Sequence, residues 1–388
     1  MAVVDFLATQ VTRLRSSVAS RLGPETSSSQ AYADRCGGDW REVYPAAKAQ
    51  LPPPTAIDTS AHELESKLAK AFPAAGVLSV PGGCIFGPEG WVVGHRQVWL
   101  PEHSWYGENP AEVRPRITAQ AVRRVSGTCL TLASNWSFEN YGHLLLDSIP
   151  RIHLFNRAGF SFAEVDHIYC PVKNANKASA WLKRFGVPIN KCIFEPLAQA
   201  QGLQFDTLIA PTFPGVRRNY PHWVPAFLRT ALPEGAPPPS RRLYITRGKG
   251  TRAVANEAEL LSLLQQHGFE FYDPALQPEP WLDFSQATAI VGSHGAGLTD
   301  LAFCLEGTTV LELLPSDHQF PYFCSLSQAA ALRYGYIVGK SERRRRPGAR
   351  GPSPYDFVVN QQQFASGLQW VENPSSIVRT AFSGHRRT

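Results

Sequence analysis

The sequence predicts an α/β protein with two doubly wound, Rossmann-like lobes and a cleft between them, preceded by a helical extension. Apolar strands alternate with helical segments over residues 128–232 and again over residues 242–338. Such alternation implies parallel sheets that are covered by helices. Between the two blocks, residues 233–240 contain four prolines, which indicates a boundary between lobes.

Composition excludes several classes of protein. Of the 388 residues, 43% are hydrophobic and 11% aromatic, so the chain has enough apolar side chains for packed cores and is not disordered throughout. The 32 prolines and 30 glycines, with only 18% charged residues, indicate many turns and argue against a coiled coil.

The net charge of +6 is concentrated in two short segments. Residues 341–350 hold five arginines and one glutamate, and Arg386 and Arg387 follow near the end. Because nucleic-acid-binding proteins spread basic residues over a folded face, we expect no nucleic-acid partner. The four arginines from Arg343 to Arg346 are interpreted either as a solvated loop or as a contact for acidic lipid or polymer.

We divide the chain into an N-terminal helical extension (residues 1–75), a first lobe (76–235), a second lobe (236–370) and a basic tail (371–388). The extension opens with an amphipathic helix, because apolar residues recur at spacings of three and four from Val3 to Leu22. This helix is expected to dock on its own domain or on a second copy in a homodimer, or to lie peripherally in a membrane interface.

The cysteines and the N-terminus bear on location. Seven cysteines lie far apart without a Cys-x-x-Cys pair, and Asp5 and Arg13 interrupt any apolar run at the start. We therefore expect reduced thiols and a cytoplasmic protein, with peripheral contact to the inner face of the cell membrane as an option. No stretch approaches the roughly 20 apolar residues of a membrane span.

The second lobe contains the strongest candidate site. A buried strand over residues 288–292 runs into His294, Gly295, Ala296 and Gly297, after which a helix begins. Glycines at such a turn let backbone N–H groups approach a ligand, and a helix N-terminus favours an anion. The alternative is a plain strand-helix turn that needs glycine.

A second turn in the same lobe is also suited to anions. The strand that ends at Thr246 is followed by Arg247, Lys249 and Arg252, and Asn256 is expected to cap the next helix with Glu259 as its capping-box partner. Because parallel strands place their following turns on one edge, the two turns are expected to converge on one diphosphate. The alternative is a solvated basic turn.

Glu312 lies inside an apolar strand, where a carboxylate is costly to bury without a partner. Near the carboxyl end of the strand it is positioned to accept hydrogen bonds from a ribose diol. The alternative is an edge or solvent-facing position.

The first lobe contains a different group of residues. On a predicted helix over residues 138–149, His143 and Asp147 are four positions apart and share a face, with Asn140 one turn earlier. In a general base, a carboxylate orients the imidazole and stabilises its protonated form. Either His143 or Asp147 is therefore expected to accept a proton, unless the two form a plain surface pair.

Other chemical motifs are weak or missing. The sequence has no Gly-x-Ser-x-Gly elbow and no complete P-loop. It also has no Asp-x-Asp pair to hold a divalent metal on a nucleotide diphosphate. We therefore expect no metal, so that the cationic turn alone stabilises a leaving diphosphate.

Four segments taken together resemble glycosyltransferase family 61. They are residues 140–151; Thr246 and Arg247 with Arg252, Asn256 and Glu257; residues 291–299; and residues 310–313. The resemblance extends in order and spacing over roughly residues 76–365, beyond what one short motif gives by chance.

The resemblance implies an inverting, metal-independent glycosyltransferase of the B-type fold, with a nucleotide sugar as co-substrate and no further cofactor. It implies that Arg247, Arg252, His294, Gly295 and Gly297 hold the diphosphate and Glu312 the ribose. His143 and Asp147 would face a saccharide acceptor, with Asn140 and Arg151 beside them. It further implies a bacterial enzyme that builds capsular, exo- or lipopolysaccharide.

Two other functions stay open at this point. A nucleotide-sugar epimerase or hydrolase would use the same architecture without an acceptor. A non-catalytic scaffold of a polysaccharide-assembly complex would use the N-terminal helix and the arginine run as docking points.

Overall fold

The computed structural model describes residues 26–49, 52–57, 63–104, 121–134, 136–198, 201–235, 237–248, 250–343 and 353–373. Several expectations lie wholly or mostly outside these ranges: the helix over residues 3–22, Lys249, Arg344 to Arg346 and the basic tail.

The chain divides into two compact units. The first comprises Met1–Gln50 and Ala69–Ala231, and the second comprises Leu51–Leu68 and Leu232–Thr388. The division falls beside the proline-rich stretch that the sequence indicated. However, residues 1–75 do not form one separate extension. Within them, Asp39–Tyr44 joins the sheet of the first unit, whereas Thr55–Ala56 joins the sheet of the second.

The first unit contains an eight-stranded mixed sheet. Six strands follow in the order Asp39–Tyr44, Ala75–Pro81, Gln201–Pro211, Ala121–Thr131, His167–Tyr169 and Cys192–Ile193, and the hairpin Cys84–Phe86 with Trp91–Val93 pairs alongside Gln201–Pro211. The last four of the six are parallel, whereas the first two run antiparallel to their neighbours. The predicted parallel architecture is therefore right only for that four-stranded part. A small separate sheet pairs Ala47–Lys48 with Ala71–Phe72.

Helices pack against the strands of this sheet. The α-helices are Ser29–Cys36, Tyr141–His143, Arg151–Arg157, Ala175–Arg184 and Trp223–Arg229; 3₁₀ turns lie at His95–Gln97, Pro101–His103, Phe162–Glu164 and Ile189–Lys191, and one π-helical segment at Leu144–Ser148. Consecutive strand residues such as Val77 and Leu78 are fully buried, which is typical of a sheet with both faces covered.

The second unit contains a seven-stranded sheet. Its strands follow in the order Glu270–Tyr272, Arg241–Ile245, Ala287–Ser293, Thr309–Pro315, Arg333–Ser341 and Phe357–Val358, with Thr55–Ala56 also paired to Arg333–Ser341. The first five are parallel and stand in the order 2-1-3-4-5 relative to the chain. This agrees with the doubly wound sheet predicted for the second lobe.

The helices of the second unit are Glu63–Ser66, Glu257–Gln266, Pro280–Ser285, Tyr322–Ala329 and Gln361–Glu372, with 3₁₀ segments Pro274–Leu276 and Ala296–Phe303. The predicted capping box at Asn256 is wrong. Asn256 does lie at the N-cap position, but its side chain makes no cap hydrogen bond. It donates to the side chain of Glu259 at 3.2 Å and bonds the backbone N–H and carbonyl of Val359 at 3.0 and 2.9 Å. Asn256 thereby ties this helix to the segment that follows Phe357–Val358.

Among the described residues, no helix combines the length and apolarity needed to cross a bilayer.

Candidate active site

The strand order of the second unit reverses between Arg241–Ile245 and Ala287–Ser293. In open parallel sheets, ligands bind in the crevice beyond the carboxyl ends of the strands at such a reversal. The loops that follow these two strands are residues 246–252 and 294–297, the two turns that the sequence predicted to converge. The topology therefore places both turns where a ligand site is expected.

Arg247 joins the two turns. Its Nη1 donates to the carbonyl oxygen of His294 at 2.9 Å, and its Nε donates to that of Thr251 at 2.6 Å. Burial and the nearby Arg252 lower the pKa of Arg247 to about 10. The guanidinium therefore stays charged at neutral pH, and its hydrogen bonds to carbonyls leave that charge available to an anion.

Gly295 is required by the position of this guanidinium. A Cβ atom at residue 295 would lie 1.3 Å from Nη1 of Arg247, whereas one at Gly297 would approach Cγ2 of Ile245 to 3.2 Å. Ala296 and Gly297 begin the 3₁₀ segment Ala296–Phe303. Because the first N–H groups of a helix have no partner within it, this turn presents backbone donors near Arg247.

Arg252 supplies a second cation close to the same strand. Its carbonyl oxygen accepts from Ser293 Oγ at 2.7 Å, and its Nη1 donates to the carbonyl of Ser353 at 3.0 Å. The side chain is buried and its backbone is left-handed, with a φ of 63°. Non-glycine residues with this backbone are uncommon and cluster at functional sites. Burial lowers the pKa of Arg252, whereas the charge of Asp317 raises it.

His294 is held by a buried carboxylate. Its Nδ1 lies 2.6 Å from Oε1 of Glu312, and Tyr334 donates its hydroxyl to Oε2. Glu312 is fully buried, and this burial raises its pKa to about 8 against the hydrogen bond from Tyr334. The structure thus occupies both oxygens of Glu312 with protein side chains. Its expected contact with a ribose stays a prediction.

In the first unit, a short helical segment carries His143 and Asp147. The α-turn Tyr141–His143 passes directly into the π-helical Leu144–Ser148, where Ile149 N donates to Leu144 O at 3.0 Å. Single π-helical turns are rare in proteins, and those that occur often lie at functional sites. Nδ1 of His143 lies 2.6 Å from Oδ2 of Asp147, so the predicted pair is formed.

Tyr220 completes this group. Its hydroxyl donates to the second carboxylate oxygen of Asp147 at 3.1 Å. Asp147 is fully buried, whereas 14% of the His143 side chain is exposed. Of the two predicted proton acceptors, His143 is therefore the one that solvent reaches.

The remaining predicted residues of this lobe have structural contacts. Asn140 caps the helix by accepting from Gly142 N at 2.8 Å. Arg151 is fully buried, and its guanidinium donates to the backbone carbonyls of Ala133, His103 and Pro211. These bonds give Arg151 a structural role, and its expected place on the acceptor side stays a prediction. Burial lowers the pKa of Arg151 to about 9.

Two tyrosines that bond the buried carboxylates Asp147 and Glu312 were not predicted from the sequence. Tyr220 lies far from Asp147 along the chain, and Tyr334 lies on the strand next to Glu312, at its amino end. Neither belongs to a motif with recognisable spacing. Tyr334 could have been placed beside Glu312 only by deriving the full strand order from the alternation of strands and helices.

Within the described ranges, no group of three or more His, Cys, Asp or Glu side chains is arranged to hold a metal ion. The expected independence of metal stays a prediction.

One family model matches part of the chain. Residues 141–311 match the family model described as Glycosyltransferase 61. The matched segment starts at the helix that carries His143, includes Arg247, Arg252 and His294, and ends immediately before Glu312. None of the curated proteins matches the chain.

Proposed function

The chain is a glycosyltransferase with a family 61 domain over residues 141–311, and from this premise we propose that it transfers a sugar from a nucleotide sugar to a saccharide hydroxyl with inversion. One observation carries the proposal most: Arg247 bonds the His294 turn at the reversal of the strand order. This arrangement is suited to a diphosphate, because a charged side chain and the backbone N–H groups at the start of a helix come together at one place.

The donor half of the proposal assigns roles in the second unit. Arg247 and Arg252 would stabilise the negative charge that grows on the leaving diphosphate, and the backbone of Gly295, Ala296 and Gly297 would position it. Fixed donors of this kind are most effective where charge develops in the transition state. Glu312 would orient His294 through its Nδ1, leaving Nε2 toward the diphosphate.

The acceptor half assigns the proton acceptor to His143. Asp147 has one carboxylate oxygen on His143 and the other on Tyr220. Because Asp147 is fully buried, it is suited to orient the imidazole and to stabilise its protonated form. Nε2 of His143 would then take the proton from the acceptor.

The proposed step is a direct displacement. The acceptor O–H bond breaks as its proton passes to His143, and the oxygen forms a bond to the anomeric carbon. The bond from that carbon to the diphosphate oxygen breaks, and its electron pair stays on the diphosphate. The configuration at the anomeric carbon inverts because attack and departure occur on opposite faces.

Four further features belong to the proposal. The donor and acceptor lobes would face a common cleft, as in the B-type fold. Catalysis would need neither metal nor a cofactor besides the nucleotide sugar. The acceptor would be a surface polysaccharide of a bacterium. The protein would be cytoplasmic, with peripheral membrane contact through its N-terminal helix or through Arg343 to Arg346.

Product analysis tests this function. The full chain is incubated with UDP-glucose, UDP-N-acetylglucosamine or GDP-mannose, with and without oligosaccharide acceptors and with EDTA. We expect a glycosylated product whose anomeric configuration, read by NMR, is opposite to that of the donor, in EDTA as well. Donor consumption without acceptor would indicate an epimerase or hydrolase, and no turnover with any donor would contradict transfer.

A further inference from the structure

A buried amide oxygen lies in the loop that follows the strand Thr309–Pro315. Gln319 is 8% exposed, and its Oε1 accepts no hydrogen bond from any residue that the structure describes. Burying a polar atom without a partner is costly, and most buried polar atoms in proteins are satisfied. The open oxygen is therefore suited to a group that the protein itself does not supply.

The side chain and its loop are fixed. Nε2 of Gln319 donates to Ser316 O at 3.3 Å, and the Gln319 carbonyl accepts from Lys67 Nζ at 2.7 Å. The same Lys67 ammonium lies 5.4 Å from the ring centroid of Phe320. One bond from the amide nitrogen is thus made within the loop, and the amide oxygen is the buried atom of this side chain that has no partner among the described residues.

This loop belongs to the edge of the sheet that carries the donor site. Its strand is the immediate neighbour of Ala287–Ser293, and both end at the same edge because they are parallel. His318, next to Gln319, packs edge-to-face on His294 with ring centroids 5.2 Å apart. Gln319, which carries the open oxygen, therefore follows directly in the chain a residue that contacts His294 of the proposed diphosphate site.

We propose that Gln319 Oε1 accepts a hydrogen bond from a hydroxyl of the nucleotide sugar and so selects donors that have a hydroxyl at that position. This inference rests on the proposed function. The hydroxyl belongs either to the sugar ring or to the ribose, since both offer the same chemistry. A site built to bond a hydroxyl rejects analogues that lack it, because the acceptor is then left unpaired.

A second glutamine offers a matched control. Gln328, in the helix Tyr322–Ala329, is also buried with an unpaired Oε1, and its Nε2 donates to the carbonyl of Pro52. No residue of the proposed donor site is among its hydrogen-bond partners. Gln319→Leu and Gln328→Leu therefore remove the same groups in the same unit.

The test measures binding of UDP-glucose, UDP-N-acetylglucosamine, GDP-mannose, UDP and GDP by calorimetry to the full chain and to both variants. We expect Gln319→Leu to weaken binding of the preferred sugar nucleotide about tenfold, while Gln328→Leu leaves it unchanged. If UDP or GDP keeps its affinity for Gln319→Leu while the sugar nucleotide binds more weakly, the hydroxyl is on the sugar ring. If both weaken equally, it is on the ribose.

Deoxy analogues of the preferred donor provide a measurement that does not depend on folding of a variant. In the wild-type chain, one deoxy position should bind about tenfold more weakly than the parent donor, and Gln319→Leu should abolish that difference. The inference is overturned if Gln319→Leu binds every donor as tightly as the wild type does. It is also overturned if Gln328→Leu loses as much donor affinity as Gln319→Leu. A wild-type chain that binds no nucleotide contradicts the proposed function itself.

Discussion

The guanidinium of Arg247 donates to the carbonyl oxygen of His294 at 2.9 Å, which links the loop after one strand to the loop after its spatial neighbour. The two loops are 47 residues apart in the chain. Their contact places a charged donor beside the backbone donors of the second loop, at the reversal of the strand order.

Replacing Arg247 with alanine should weaken donor binding. A lost charge-assisted hydrogen bond of about 1.5–3 kcal/mol corresponds to roughly 10–100-fold in the dissociation constant of a nucleoside diphosphate. Calorimetry with UDP and GDP measures this change. Arg333→Ala is the control, because Arg333 begins its strand at the opposite edge of the sheet and donates to the carbonyl of Trp370. Unchanged affinity in Arg247→Ala would contradict the assignment.

Gly295→Ala should reduce nucleotide affinity while leaving every charge in place. The new Cβ would lie 1.3 Å from Nη1 of Arg247, so the guanidinium must move. Gly297→Ala is the matched control, since its Cβ would approach Ile245 only to 3.2 Å. We expect the loss of affinity to be clearly greater for Gly295→Ala. Equal effects of the two substitutions would show that the position of Arg247 does not matter.

Substitutions in the first unit should separate catalysis from donor binding. His143→Ala and Asp147→Asn are each expected to lower kcat by at least about 100-fold, the usual contribution of general base catalysis. Tyr220→Phe should lower kcat less, because Asp147 keeps its bond to His143. Steady-state kinetics measure kcat, and calorimetry should show unchanged donor affinity. Near-normal turnover of His143→Ala would move the role of base to another group.

The buried Glu312 should make stability depend on pH. Burial raises its pKa to about 8 from an ordinary value of 4.5, so between these values the folded state holds a proton that the unfolded state has lost. The contribution of Glu312 to the free energy of unfolding should therefore be greatest below pH 4.5. It should be lost as the pH rises through about 8. Urea denaturation at several pH values measures this dependence.

Glu312→Gln should remove that part of the pH dependence. Tyr334→Phe should extend it to higher pH, because the lost hydrogen bond had favoured the ionised carboxylate and so had lowered the pKa of Glu312. The same slope in wild type and in Glu312→Gln would show that Glu312 does not titrate as the structure implies.

Arg151 should be essential for stability rather than for acceptor recognition. Arg151→Met leaves three backbone carbonyls without their donor, at about 1–3 kcal/mol for each buried unsatisfied group. Urea denaturation should show a loss larger than that of Asn140→Ala, where a missing helix cap costs about 1 kcal/mol. A stable Arg151→Met protein with a raised KM for its acceptor would instead restore the predicted contact.

Parts of the fold and site were predictable from local pattern. Strand-helix alternation and the glycine positions placed His294 and Arg247 on one edge, because the register of parallel strands fixes where their loops lie. The spacing of four residues placed His143 against Asp147.

Long-range contacts were not predictable in this way. The burial of Arg151 depends on carbonyls from three separate segments, and the partners of Glu312 come from two other strand ends. The strands Asp39–Tyr44 and Thr55–Ala56 were missed because each pairs with a distant partner and carries little apolar pattern of its own.

The pairing of Thr55–Ala56 with Arg333–Ser341 affects how the polypeptide can be divided. A fragment that starts at residue 232 lacks this strand, although it contains the other six strands of the second sheet. Such a fragment would leave the backbone carbonyl of Tyr336 without the N–H of Ile57, which donates to it at 3.0 Å, and unpaired strand edges promote aggregation. Residues 51–68 supplied as a separate peptide should restore solubility to it.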